Sequence, residues 1–223
     1  MNNKILIIPA AVYKEKYKTQ IPDIFKIDDS GFMNIIHNMN GLPLDEFEKI
    51  YITINKTINS TYNIDLMLGA QLELLSIGDK TEIIEIDKTN NVVETILETL
   101  KYAPNDTFGV FIKDADACFT INELNDENTV YTYLLEDVSD INPSSKSYVS
   151  KTSDDIILNI IEKRVISSEF CAGGYYFNNV NKFVNLCYNV KEYEKLYLSN
   201  VIYYDILNNG GMYRAEEVLL FNE

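Results

Sequence analysis

The sequence predicts an α/β domain built on a mixed, mainly parallel sheet, and three observations carry that expectation. Short apolar runs of strand length recur through the first half of the chain, the pattern of strands covered on both faces. Stretches of helical periodicity lie between them, and strands alternating with helices argue for a parallel sheet. With 223 residues, 46% of them hydrophobic, the chain can withdraw roughly 70% of its extended surface from water, so a sizeable core needs no staples.

The elements follow in order. Lys4-Ile5-Leu6-Ile7-Ile8-Pro9 is a continuous apolar run with a breaker behind it and reads as the first strand. Residues 48–54 and 81–87 are β-branched runs of strand length, and residues 107–114 form a fourth that ends in acidic residues. The clearest helix spans 92–102, because Val92, Val93, Ile96, Leu97 and Leu100 fall on one face, with Thr89 or Asn90 as its cap. Residues 33–39 and 62–75 are further helical candidates. After about residue 125 the texture changes to strand-like segments at 131–135, 147–150, 155–161 and 171–177. Helices at 180–190 and 198–208 follow, then a final strand at 212–221. No Pro/Gly-rich linker and no internal repeat interrupts the chain, so residues 1–223 read as one domain.

Charge narrows the partners. The chain carries 19 Lys and Arg against 34 Asp and Glu, a formal charge of -15. A nucleic-acid ligand needs a cationic surface that displaces counterions, and an anionic membrane surface needs the same, so both are disfavoured. A phosphorylated small molecule stays open, because carboxylates can hold a divalent cation that bridges to phosphate oxygens. Cys118, Cys171 and Cys187 are scattered and odd in number, which suggests buried free thiols rather than disulfides or a zinc site. His37 is the single histidine and reads as a packed or surface residue. The apolar run at residues 5–8 is too short for a signal core or a membrane span, so the expected location is the cytoplasm.

In an open α/β sheet, ligands bind beyond the carboxyl ends of the parallel strands. Two turns leave those ends. After the first strand, Pro9, Ala10 and Ala11 permit close backbone approach, and Lys14, Lys16 and Lys18 are point charges suited to phosphates. After the fourth strand, Asp114-Ala115-Asp116 sets two carboxylates two residues apart, a spacing that can ligate a hard cation. Tyrosines gather late in the chain, and Gly173-Gly174 before Tyr175-Tyr176 marks either a bulge or a close ligand approach.

Taken in order, these segments resemble the sugar-nucleotide nucleotidyltransferases. The resemblance runs through Ile7-Ile8-Pro9-Ala10-Ala11, Ile21-Pro22, Ile27-Asp28, Gly31 and Met33-Asn34-Ile35-Ile36. It continues in Thr89-Asn90-Asn91-Val92-Val93-Glu94-Thr95, similar to the family's base-contacting loop, and in Ile112-Lys113-Asp114-Ala115-Asp116, placed like its metal-binding aspartate. Glu162-Lys163 and the Gly-x-Tyr-x-Phe stretch at 173–177 resemble the elements that close the sugar pocket. The chain departs from the family at two places. Val12-Tyr13-Lys14-Glu15-Lys16 stands where the family has a Gly-rich loop with an arginine, and Asp23 stands where it has a lysine.

The resemblance implies a three-layer, Rossmann-like, glycosyltransferase-A-like fold, with a nucleotide-binding half at 1–124 and an acceptor- or sugar-binding half at 125–223. It implies attack of a phosphorylated acceptor on the α-phosphorus of a nucleoside triphosphate, with Mg²⁺ or Mn²⁺, in surface-polysaccharide precursor synthesis. Pro9, Ala10, Ala11, Thr89, Asn90 and Asn91 would bind the nucleotide, and Lys14, Lys16 and Lys163 would serve the transfer. Glu162, Gly174 and Tyr176 would bind the acceptor, and Asp114, Asp116 and Asp205 would hold the metal. Two alternatives stay open: a metal-dependent glycosyltransferase using a nucleotide-sugar, and a catalytically silent binding subunit, as the altered loop and Asp23 permit. A homo-oligomer is likewise open.

Overall fold

A computed structural model describes residues 3–104, 108–138, 142–190 and 195–219. The four apolar runs of the first half are strands β1 (Lys4–Ala10), β2 (Lys49–Asn55), β3 (Thr81–Ile86) and β4 (Gly109–Lys113). They pair in parallel in the order β3-β2-β1-β4. The sheet then continues through β8 (Glu169–Phe177), which runs antiparallel to β4, to β5 (Thr129–Leu134) and β9 (Arg214–Glu217). Along that path β8 alone runs against the rest, so the sheet is mixed and mainly parallel, as expected. Strands β6 (Ser147–Lys151) and β7 (Ile157–Glu162) form a hairpin hung on β8.

Alternation along each strand divides the core between the two faces of this sheet. Leu6, Ile8, Ile50, Ile52 and Ile54 point to one face, beneath α1 (Asn34–His37), α2 (Lys56–Tyr62) and α3 (Ile64–Leu74). Ile5, Ile7, Tyr51, Val110 and Ile112 point to the other, beneath α4 (Val92–Leu100), α5 (Val180–Asn189) and α6 (Leu198–Asn209). Each fully buried side chain of this size contributes about 1.5–3 kcal/mol. The result is three layers around one continuous sheet. One buried polar pair bridges two layers: Thr53 Oγ1 of β2 meets Thr99 Oγ1 of α4 at 2.6 Å.

Three expectations need correction. The single helix expected over 62–75 is two, because Asn63 adopts the left-handed conformation at φ 53°, which asparagine tolerates better than most residues. Asn59 Oδ1 accepts from Asp65 N at 2.9 Å across the break. The cap of α4 is Asn91, whose Oδ1 accepts from Glu94 N at 2.9 Å, rather than Thr89 or Asn90. The last strand is four residues long, and 220–221 lie outside the described residues. Cys118, Cys171 and Cys187 form no disulfide among the described residues, and His37 Nδ1 lies 3.2 Å from Asp28 Oδ2.

Candidate active site

Strands β1 and β4 are parallel neighbours, so the turns that leave their carboxyl ends emerge side by side. A cavity of about 450 Å³ lies between them, lined by Pro9, Ala10, Lys14 and Lys16 from one turn and by Asp114, Ala115 and Asp116 from the other. A second cavity, about 370 Å³, opens on the far side of the acidic turn between Lys146, Ser147, Glu162, Lys163, Gly173 and Tyr175. Val92, Asp114, Asp116 and Tyr197 line both. The two cavities are halves of one cleft, and the carboxylate pair stands at their junction.

On the first side, Lys14 and Lys16 are exposed and make no ion pair among the described residues; both ammonium groups lie near the Tyr17 ring, at 6.0 and 5.4 Å. Lys18 does not line the cavity, since its ammonium meets Glu15 at 2.7 Å. Asp23 does line it, and Lys26 lies 2.6 Å from its carboxylate. That pairing holds the Asp23 carboxyl below its ordinary range, with smaller contributions from Lys16 and Lys14. The charge of Asp23 is therefore balanced locally by Lys26.

Asp114 is partly buried, and its carboxyl is pushed up to about 7, first by burial and then by the negative charge of Asp116; Glu162 adds to the rise, while Lys113 and Lys146 oppose it. Gly173 makes this placement possible. At φ 94° it adopts a conformation that favours glycine, and a Cβ there would lie 2.8 Å from Ala117 Cβ and 3.0 Å from Asp114 Oδ2. The Gly173 carbonyl accepts from Asp114 N at 2.8 Å. Replacing Gly173 with Ala is expected to cost about 1–3 kcal/mol through backbone strain alone and to displace Asp114. Chemical denaturation checks the first effect, and unchanged stability would contradict it.

On the second side, Glu162 is held by two hydroxyls: its Oε2 accepts from Ser147 Oγ and, at 2.7 Å, from Ser199 Oγ of α6. Lys163 follows it at φ 56°, with its N bonded to Lys146 O at 2.9 Å, so residues 146 and 163 are neighbours across the hairpin. The Lys163 ammonium donates to Tyr197 Oη and lies 4.1 Å from that ring's centroid. Lys146 makes no ion pair among the described residues. Sequence reasoning missed Lys146, Ser147 and Ser199, and offered Tyr197 only as one of the tyrosines gathered late in the chain; a serine or tyrosine at an element's start carries no distinctive spacing.

Several sequence candidates lie elsewhere. Asp205 is completely buried, bonded to Tyr213 Oη at 3.0 Å, Asn209 Nδ2 at 3.0 Å and Lys182 Nζ at 2.9 Å. It sits seven residues along α6 from Leu198, which lines the cleft, or about 10 Å further along the axis. It is therefore a structural carboxylate and not part of the metal set. Gly174 and Tyr176 face the other side of β8, where a Cβ on Gly174 would meet the Phe119 ring at 2.6 Å and the Tyr176 hydroxyl packs over Gly109. Strand alternation gives the cleft Gly173 and Tyr175 instead. Ala11 is packed against the α4 layer. Asn90 binds the Glu94 carboxylate and Asn91 caps α4, while Thr89 lines a neighbouring groove; of this segment, Val92 reaches the cleft.

No protein-family model and no curated protein matches the chain. Solved structures do. The nucleoside-diphosphate-sugar pyrophosphorylase from Vibrio cholerae superposes with a TM-score of 0.76 at 14% identity, over 96% of this chain and 92% of that one. The chain has the nucleotidyltransferase fold. The inositol-1-phosphate CTP transferase from T. maritima gives 0.71 at 16% identity, covering 97% and 85% of the two chains. The CTP:phosphocholine cytidylyltransferase from Streptococcus pneumoniae gives 0.67 at 16%, covering 97% and 90%. The fold is thus shared along nearly the whole chain while the sequences have diverged.

The resemblance drawn from the sequence implies a divalent cation. Among the described residues no group of three or more acidic, histidine or cysteine side chains converges to hold one unaided. Mg²⁺ does not require that, because it is commonly bound through one or two carboxylates and substrate phosphates. Asp114 and Asp116 fit such a site: they crowd negative charge at the junction of the cleft, and no ion pair among the described residues relieves Asp114. No helix among the described residues is long and apolar enough to cross a membrane.

Proposed function

We propose that the chain is a nucleotidyltransferase that joins a nucleoside triphosphate to a phosphorylated small-molecule acceptor and releases pyrophosphate. The observation that carries this reading is the shared wall: Asp114 and Asp116 line the lysine-bearing cavity and the Glu162–Lys163 cavity alike. A donor in the first and an acceptor in the second would meet at the carboxylate pair. An acceptor phosphate oxygen attacks the α-phosphorus, the bond to the β-phosphate oxygen breaks, and pyrophosphate leaves with that electron pair.

Lys14 and Lys16 neutralise the triphosphate, and the small Pro9–Ala10 stretch lets it lie against the backbone. Asp114 and Asp116 would hold Mg²⁺, which supplies charge neutralisation at the transferring phosphoryl group. Glu162, fixed by Ser147 and Ser199, accepts from acceptor hydroxyls. Lys163 and Lys146 flank the acceptor phosphate. Catalysis by such an arrangement is positioning and charge neutralisation, with no covalent intermediate. Likenesses to proteins named for nucleoside-diphosphate sugars and for CTP support the substrate class. Precursor synthesis for surface polysaccharides, in the cytoplasm where triphosphates are made, is the role this chemistry suits.

The test is pyrophosphate release with the common nucleoside triphosphates against a panel of sugar and polyol phosphates, with Mg²⁺. Turnover with one pair is expected. Binding of nucleotide-sugars with no response to any triphosphate would assign a glycosyltransferase instead. Within that assay, Lys146→Gln is expected to raise KM for the acceptor about tenfold, the value of one charge-assisted hydrogen bond, with kcat little changed. An unchanged KM would remove Lys146 from the acceptor site.

A further inference from the structure

Lys113 is a buried cation that the proposed reaction does not use. It is the last residue of β4, is 1% exposed, and points to the face opposite Asp114. Among the described residues it makes no ion pair, although the Asp114 and Asp116 carboxylates lie near enough to favour its charge. Its ammonium lies 5.1 Å from the Phe119 ring centroid, donates to the Asp114 carbonyl at 3.3 Å, and donates to the Ala117 carbonyl. Burying an ammonium carries a desolvation penalty of several kcal/mol, which an apolar side chain of similar length would avoid. What this ammonium holds is the acidic turn itself.

The rest of that turn is tied down in the same manner. Asp114 O accepts from Ala117 N at 3.1 Å and so closes the turn. Asn38 Nδ2 donates to Ala115 O at 2.9 Å, and Tyr133 Oη donates to Cys118 O at 2.6 Å. The carbonyls of residues 114, 115, 117 and 118 therefore all accept from side chains of the scaffold, and Lys113 serves two of them. A loop gripped this way presents its remaining side chains in one orientation, which is what a ligand site on a loop needs.

The geometry points to Lys113 as a positioning residue, an internal cation that holds the 114–117 turn from beneath so that Asp114 and Asp116 face the junction of the cleft. The gripped turn stands on its own contacts; its value for metal binding rests on the nucleotidyltransferase reading. The test is Lys113→Met, followed by melting temperature, amide hydrogen exchange at Ala117, and Mn²⁺ affinity measured with the metal alone. The expected result is a melting temperature close to wild type, exchange at Ala117 at least tenfold faster, and Mn²⁺ affinity at least tenfold weaker. Unchanged exchange at Ala117 overturns the proposal, as does faster exchange with undiminished Mn²⁺ affinity. If wild type binds no Mn²⁺, the metal reading falls and Ala117 exchange alone decides the role of Lys113. Should the variant not fold, wild-type NMR decides: hydrogen-bond couplings from the Lys113 ammonium to the carbonyl carbons of residues 114 and 117 are expected, and their absence overturns the assignment.

Discussion

Replacing Asp114 with Asn is expected to lower kcat by about 10²–10³, the usual loss when one electrostatic stabiliser of a transition state is removed, while making the ligand-free protein more stable at neutral pH. The second half of that expectation follows from the site's charge. Burial, Asp116 and Glu162 together push the Asp114 carboxyl up to about 7. An acid whose folded pKa lies above its unfolded value, near 3.9, holds its proton longer in the native state. Its contribution to stability is full below the unfolded pKa and is lost as pH rises toward 7. Wild type should therefore lose melting temperature between about pH 4 and 7 relative to Asp114→Asn, which cannot ionise. Thermal melts of both proteins across that window check the sign; parallel curves would mean that Asp114 is not strained by its neighbours. Gain of stability with loss of turnover is the signature of a group placed for a ligand and not for the fold.

The double replacement Lys14→Gln, Lys16→Gln should act in the opposite way, weakening triphosphate binding by about 10–100-fold, or roughly 1.4–2.7 kcal/mol for the two charges together, without altering the melting temperature of the free protein. Neither lysine makes an ion pair among the described residues, and neither is buried, so the fold loses little with them. The loss should shrink as ionic strength rises, because exposed charges are screened within about 10 Å at 0.1 M salt. Titration calorimetry at two salt concentrations measures both effects. Equal affinity in the variant and wild type would take the first turn out of the site.

Both turns were legible in the sequence for the same physical reason: a continuous apolar run marks a buried parallel strand, and its carboxyl end is where such sheets bind ligands. Residues 4–9 and 107–114 supplied that pattern, and Lys14, Lys16, Asp114 and Asp116 follow from it. The second half was legible as elements but less so as a site. On β8 the period of two puts Gly173 and Tyr175 on one face and Gly174 and Tyr176 on the other, and spacing alone does not say which face meets the cleft. The irregularity between Tyr131 and Thr132, opposite the β8 glycines, blurs the phase further. Asp205 misled because an aspartate in an aromatic helix looks available, whereas Tyr213 and Lys182, which bond it, are brought to it by the fold. Lys113 reads in sequence as one more strand-end charge; its burial becomes visible when the loop beyond it folds back over the ammonium.

The account stands on two turns sharing one donor site, and paramagnetic NMR tests that directly. Mn²⁺ is added at substoichiometric amounts with each common nucleoside triphosphate, and the amide signals of residues 14–17 and 114–117 are followed together. The account predicts that, with at least one triphosphate, both sets broaden in the same titration and that Asp114→Asn abolishes the effect. Broadening of one set without the other, or of neither with every triphosphate, would contradict it.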